Sequence, residues 1–186
     1  MRLVFIGDIV GKPGRAVLAK TMPRIKQKFS PDIIVANGEN SAAGFGITKN
    51  VLQELFSTGI NLITSGNHIW DKHETESWIG EEERLIRPAN FPPTSPGRGW
   101  AIIKVNNYSI AVVNIQGRVM MPPSDCPFRT MHSLLEKLAD ADAIVVDFHA
   151  EATSEKEAFA RHFDGQIAAV EESFLRFPQG VADRSS

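Results

Sequence analysis

Four short apolar runs in this 186-residue chain each end in a turn loaded with polar chemistry. Leu3–Ile6 gives way to Gly7-Asp8, and Ile33–Ala36 to Asn37-Gly38-Glu39-Asn40. Ile60–Ser65 runs straight into Gly66-Asn67-His68, and Ala143–Phe148 into His149-Ala150-Glu151. Runs of this length bounded by Gly, Asn and Pro predict buried strands. Helical periodicity follows, with Val17, Leu18, Met22 and Ile25 after the first run. After the second, Thr48 is placed to N-cap a helix with Val51, Leu52, Leu55 and Phe56 on one face. Strand–loop–helix repeated in this way predicts a parallel sheet with helical crossovers. Ligands of such sheets bind beyond the carboxyl ends of the strands. The topology therefore delivers Asp8, Glu39, Asn40, Asn67, His68 and His149 to a single edge.

The middle of the chain changes character. Pro88–Gly99 is rich in proline and glycine and predicts an irregular surface loop. Trp100–Val105 and Tyr108–Ile115 flank Asn106-Asn107, a hairpin signal because Asn tolerates positive φ. Thr130–Ala139 predicts a helix, as does the segment from Ser154 to Phe163, where Ser154 and Glu157 fit a capping box. Gln166–Val170 could form a further strand. There is no internal repeat or low-complexity segment.

Composition narrows the function classes. A formal net charge of −2 argues against a general nucleic-acid coat, which needs a basic surplus. It does not exclude a small phosphate ester, because a bound cation can supply the positive charge. The single cysteine, Cys126, permits no internal disulfide, which fits a reducing compartment. The opening apolar run is too short for a signal peptide, and no stretch approaches the roughly 18 apolar residues of a membrane span. The expected setting is the cytoplasm, without a membrane partner.

Carboxylate, amide and imidazole groups at four strand ends form a donor set suited to Mn, Fe or Zn rather than Ca or Mg. Taken singly, each has a plainer explanation. Asp8 could cap a helix, Asn37, Asn40 and Asn67 could serve turns, and a lone histidine is usually a hydrogen-bonded structural residue. Structural needs alone do not predict all of them at consecutive strand ends. Gly7–Gly14 could instead cradle a nucleotide phosphate without metal, but it lacks GxGxxG spacing and places Asp8 against the anion. Among the remaining candidates, His73 starts a short helix and His132 lies on a helix without a partner in sequence. His162 is a helix-end residue, and Arg118 more readily forms a surface salt bridge than a phosphate contact. Cys126 lacks an activating base. Trp70 and Trp78 are packing groups.

Together, Gly7-Asp8-Ile9-Val10-Gly11, Gly38-Glu39-Asn40, Gly66-Asn67-His68 and the segment Asp147–Lys156 resemble the YmdB-like branch of the calcineurin-like metallophosphoesterases. Arg87–Pro92 and Asn114–Arg118 are similar to that branch as well. The resemblance covers about residues 1–170 and implies an α/β fold, the metallophosphoesterase-type α/β/β/α sandwich. It implies two divalent metal ions, the first on Asp8, Glu39 and Asn40 and the second on Glu39, Asn67 and His149, with Glu39 bridging. It also implies in-line attack on phosphorus by a metal-bridging hydroxide, with His68 as proton donor to the leaving oxygen. The implied substrates are phosphodiesters, 2′,3′-cyclic nucleotides above all. A homo-oligomer is admitted but not required.

The chain departs from that pattern after Asp164-Gly165. The family continues into a Gly-Thr-His-Thr-His segment whose histidines each bind one metal, whereas here no histidine follows His162. The expectation is an incomplete metallophosphoesterase domain over 1–170, lacking its C-terminal strands, and a divergent, poorly ordered tail over 171–186. Two functions remain in competition: a di-metal phosphodiesterase working with the surviving ligands, and a catalytically impaired truncated remnant that binds nucleotide or a protein partner.

Overall fold

The computed structural model describes residues 1–171. Its first sheet is parallel, with β1 (Leu3–Ile6), β2 (Ile33–Asn37) and β3 (Leu62–Thr64) in that order. The second sheet contains β4 (Trp100–Val105), β5 (Tyr108–Gln116), β6 (Ala143–His149) and β7 (Ala169–Glu171). Within it β4 and β5 are antiparallel, while β5, β6 and β7 run parallel. The helices are α1 (Gly11–Phe29), α2 (Lys49–Ser57), α3 (Glu74–Trp78), α4 (Pro127–Lys137) and α5 (Thr153–His162).

Three apolar clusters define the layers. Leu18 and Met22 of α1 and Leu52 and Leu55 of α2 pack with Ile34, Ala36 and Ile63 on one face of the first sheet. Met131 and Leu134 of α4 and Phe159 of α5 pack with Val113, Val146 and Phe148 on the outer face of the second. Ile33, Val35, Leu62, Ile110, Val112 and Val145 fill the space between the sheets. Strands β2 and β6 carry apolar residues on both faces because each lies between a helical layer and the other sheet. The result is the expected α/β/β/α sandwich.

Local signals explain most element limits. Thr48 accepts from Val51 N at 3.3 Å and caps α2, and Asn106 takes φ 54° in the β4–β5 hairpin. The segment 88–99 forms no regular element; buried Arg87 holds it by donating to the carbonyls of Pro88, Ser95 and Pro96. Trp78 is buried and Trp70 packs beside the same cluster, as expected of packing groups.

Three expectations are corrected. The glycine-rich loop ends early, since α1 begins at Gly11, whose φ of 56° turns the chain into the helix. The capping box does not form: Ala152 is the N-cap of α5 and Ser154 already lies inside the helix. The last strand is Ala169–Glu171 rather than 166–170, and it pairs with Val145–Asp147 of β6. Apart from Glu171, the divergent tail expected at 171–186 lies outside the described residues. Among the described residues, no helix is long and apolar enough to cross a membrane.

Candidate metal centre

The side chains foreseen at the strand ends do meet. Asp8 follows β1, Glu39 and Asn40 follow β2, Asn67 and His68 follow β3, and His149 is the last residue of β6. Backbone contacts fix these exits. Ile9 N donates to Asn37 O (3.1 Å) and Gly11 N to Asn40 O (2.9 Å), which ties the first loop to the second. Gly38 N donates to Thr64 O (3.0 Å), extending the ladder past β2.

Glu39 lies at the centre and is 1% exposed. Its Oε1 is 3.0 Å from His149 Nε2, and its Oε2 accepts from the His68 backbone N–H at 3.0 Å. Asn67 Oδ1 is 2.9 Å from the same His149 Nε2. On the other side, Asn40 Nδ2 donates to Asp8 Oδ2 at 2.8 Å. His68 joins the cluster through its backbone, while its ring Nδ1 is 2.7 Å from Asp71 Oδ2. Gly66 supplies the necessary space, because a Cβ there would collide with His149 and with Glu39 Oε2.

The electrostatics are those of a crowded anionic site. Burial pushes the Asp8 carboxyl above its ordinary range; the Asn40 hydrogen bond opposes this and the charge of Glu39 reinforces it. For His149, burial favours the neutral ring, but the hydrogen bond and charge of Glu39, together with the charges of Asp147 and Asp8, outweigh it and hold the imidazole above its usual value. Beneath the cluster, Asp147 is fully buried, and burial pushes its carboxyl up to about 6.

The residues fit divalent cations. Asp8 Oδ1 and Asn40 Oδ1 are buried acceptors without a donor among the described residues, an arrangement that costs free energy unless something positive meets them. His149 Nε2 faces two acceptors, so without metal it must carry a proton, and a cation can replace that proton against the same oxygens. Among the described residues no group of three or more His, Cys, Asp and Glu is positioned to hold an ion alone.

A second tier of residues is less visible in sequence. Asn37 donates to Asp147 Oδ2 (3.2 Å) and to Ser65 O (3.3 Å), and its Oδ1 accepts from Glu39 N (3.2 Å). Asn114 Oδ1 accepts from Ser65 N (3.3 Å). Asp147 could have been noticed as the one carboxylate inside the run Ala143–Phe148. Phe45 stands beside His68 with ring centroids 5.1 Å apart. Elsewhere, Asn90 bonds Gln116 O, Ser124 and Asp125 O, a loop-holding role that accounts for its motif. Arg118 forms no side-chain ion pair among the described residues; Glu155 instead accepts from its backbone N–H. Cys126 stands at the N-cap position of α4, where the Arg129 N–H pulls its thiol below the usual range.

A two-sheet sandwich that gathers Asp, Glu-Asn, Asn-His and His at the ends of β1, β2, β3 and β6 is a calcineurin-like metallophosphoesterase fold. The sequence profile of the family described as YmdB-like protein matches residues 4–173, and the chain belongs to that family. It is 44% identical over 171 residues to a 2′,3′-cyclic-nucleotide 2′-phosphodiesterase of Bacillus subtilis, covering 91% of this chain and 65% of that protein. A hypothetical protein of Thermus thermophilus superposes with TM-score 0.89 at 39% identity, covering 100% of this chain and 72% of that one. A phosphatase of Mycoplasma pneumoniae superposes with TM-score 0.84 at 31% identity, covering 90% of this chain and 63% of that one. The chain spans 62–65% of the length of the curated relatives it matches.

Proposed function

We propose that this chain is a di-metal phosphodiesterase acting on small phosphodiesters, with 2′,3′-cyclic nucleotides as the substrate class. The observation that carries this is Glu39: a buried carboxylate with one oxygen at His149 and the other at the His68 loop, between an Asp8–Asn40 pair and an Asn67–His149 pair. The cyclic-nucleotide specificity rests on likeness to the Bacillus subtilis relative.

Asp8, Glu39 and Asn40 would hold one divalent cation and Glu39, Asn67 and His149 the other, with Mn or Fe favoured and Zn admitted by the donor set. Such a pair supplies Lewis acidity that activates water and neutralises phosphate charge. The chain's own groups do the rest. Asp71 accepts from His68 Nδ1–H and orients the ring. This leaves Nε2 without a hydrogen bond among the described residues, so that the ring, in its doubly protonated form, would pass its Nε2 proton to the leaving oxygen and remain neutral with Nδ1–H on Asp71. Gly66 leaves room for the His149 ring and the Glu39 carboxylate, and Asn37 fixes the Glu39 backbone.

The test is hydrolysis of 2′,3′-cyclic AMP by protein loaded with Mn(II), alongside metal analysis. Turnover should vanish with EDTA and fall about 10²–10⁴-fold in His68→Ala, in the range for loss of a proton-transfer group, with metal content unchanged. Glu39→Gln should lose the two-metal stoichiometry. A His68→Ala variant as active as the parent would overturn the assignment.

Residues 163–186 contain no histidine, which favours a second reading: a chain that binds the nucleotide without turning it over. Saturable nucleotide binding to metal-loaded protein with no product would support it over the first.

A further inference from the structure

His132 of α4 and His162, the last residue of α5, bring their Nε2 atoms to 2.8 Å, with the rings nearly perpendicular at 89°. Both are exposed, and neither belongs to the cluster at the strand ends. Sequence reading placed each on its helix but could not pair residues 30 positions apart. Aromatic rings brace the pair: Phe128 meets His162 edge-on at 5.4 Å, and Phe163 lies 4.9 Å from His132 and 4.7 Å from His162.

Two neutral imidazoles can hold this distance only with opposite tautomers, one Nε2 donating and the other accepting. A single hydrogen bond at an exposed site contributes little net stability. A cation, by contrast, can use both lone pairs. With metal–nitrogen bonds of about 2.0–2.1 Å, a separation of 2.8 Å subtends an angle of roughly 85–90°. That is the angle between adjacent ligands of a tetragonal or octahedral ion. A tetrahedral zinc site would need nitrogens about 3.3 Å apart at the same bond length. Tetragonal nitrogen sites select Cu(II) or Ni(II), which also outrank Mn(II) and Fe(II) in intrinsic affinity.

The geometry points to a second metal site, a two-histidine chelate for Ni(II) or Cu(II) that clasps α4 to α5. Among the described residues no third His, Cys, Asp or Glu joins the pair, so water completes the coordination and binding is reversible by chelators. Binding to the folded state alone would raise thermal stability by mass action. Nothing in this proposal depends on the phosphodiesterase assignment.

The test titrates the full chain and its histidine variants with Ni(II) in a calorimeter, so that any Ni(II) taken up at the strand ends is common to all and the difference between parent and variant isolates the pair. One additional Ni(II) per chain should bind and raise Tm. His132→Ala and His162→Ala should each weaken that event at least tenfold, with Tm in the absence of Ni(II) and cyclic-nucleotide hydrolysis both unchanged. His132→Gln, which keeps a polar side chain without the imidazole nitrogen, should behave like His132→Ala. Zn(II) should bind the parent chain more weakly than Ni(II). Equal Ni(II) binding by parent and variants, or no saturable binding beyond the strand-end site, would overturn the proposal.

Discussion

Gly66 shows how much one missing side chain can decide. Its φ of −161° is extended backbone open to any residue, so the restriction is space alone. Gly66→Ala should push His149 and Glu39 apart, reducing metal affinity at least tenfold and stability by about 1–3 kcal/mol, the usual cost of overpacking. Metal titration and urea denaturation would read the two effects separately; unchanged metal affinity would show that His149 and Glu39 yield easily to the added methyl. Asp8, Glu39, Asn67 and His149 were legible in the sequence because each follows an apolar run at a place where a strand must end. Asp147 entered only as the first residue of a motif; its buried role was not read, because its neighbours Val145, Val146 and Phe148 carry the strand pattern. Asn37 likewise passed for a turn residue, since a side chain that bonds across to another sheet looks no different in one dimension. The His132–His162 pair was invisible for the same reason.

Elements were easier to foresee where the deciding interaction is local. The Thr48 cap and the Asn106 turn involve neighbours within a few residues, and both form. The α5 capping box failed because the helix starts one residue too early, at Thr153, which puts Ser154 inside the first turn; there Glu155 sends its carboxylate to the backbone N–H groups of Arg118 and Val119. Thr48→Ala should cost about 1 kcal/mol, the typical value of a helix cap. Phe159→Ala should cost about 3–5 kcal/mol, because that fully buried ring stacks on Phe148 at 4.3 Å and fastens α5 to the second sheet. Chemical denaturation of the two variants side by side would check the ratio. A Phe159→Ala loss no larger than the cap's would mean that α5 contributes little to the fold.

Across the whole molecule, the space between the sheets grades from an apolar end around Ile33, Ile110 and Val145 to a polar end around Asn37, Ser65, Asn114 and Asp147. Burial raises Asp147 from 3.8 to about 6. Its protonated form therefore suits the fold, and that contribution is complete below pH 3.8 and lost as pH rises through about 6. The two-unit difference corresponds to about 3 kcal/mol. In chelator-treated protein, Asp147→Asn should be the more stable chain at pH 7, with the gap closing towards pH 4. Urea midpoints against pH would show this, and a gap that widens on acidification would contradict it. The polar end is also where the two halves of the sandwich are joined by single side-chain hydrogen bonds, Asn37 to Asp147 and Ser65 to Asn114. Because Asp8, Glu39 and Asn67 come from one half and His149 from the other, any ion they share is also a rivet across that weak seam, and its loss should quicken amide exchange first at the carboxyl ends of β2 and β6.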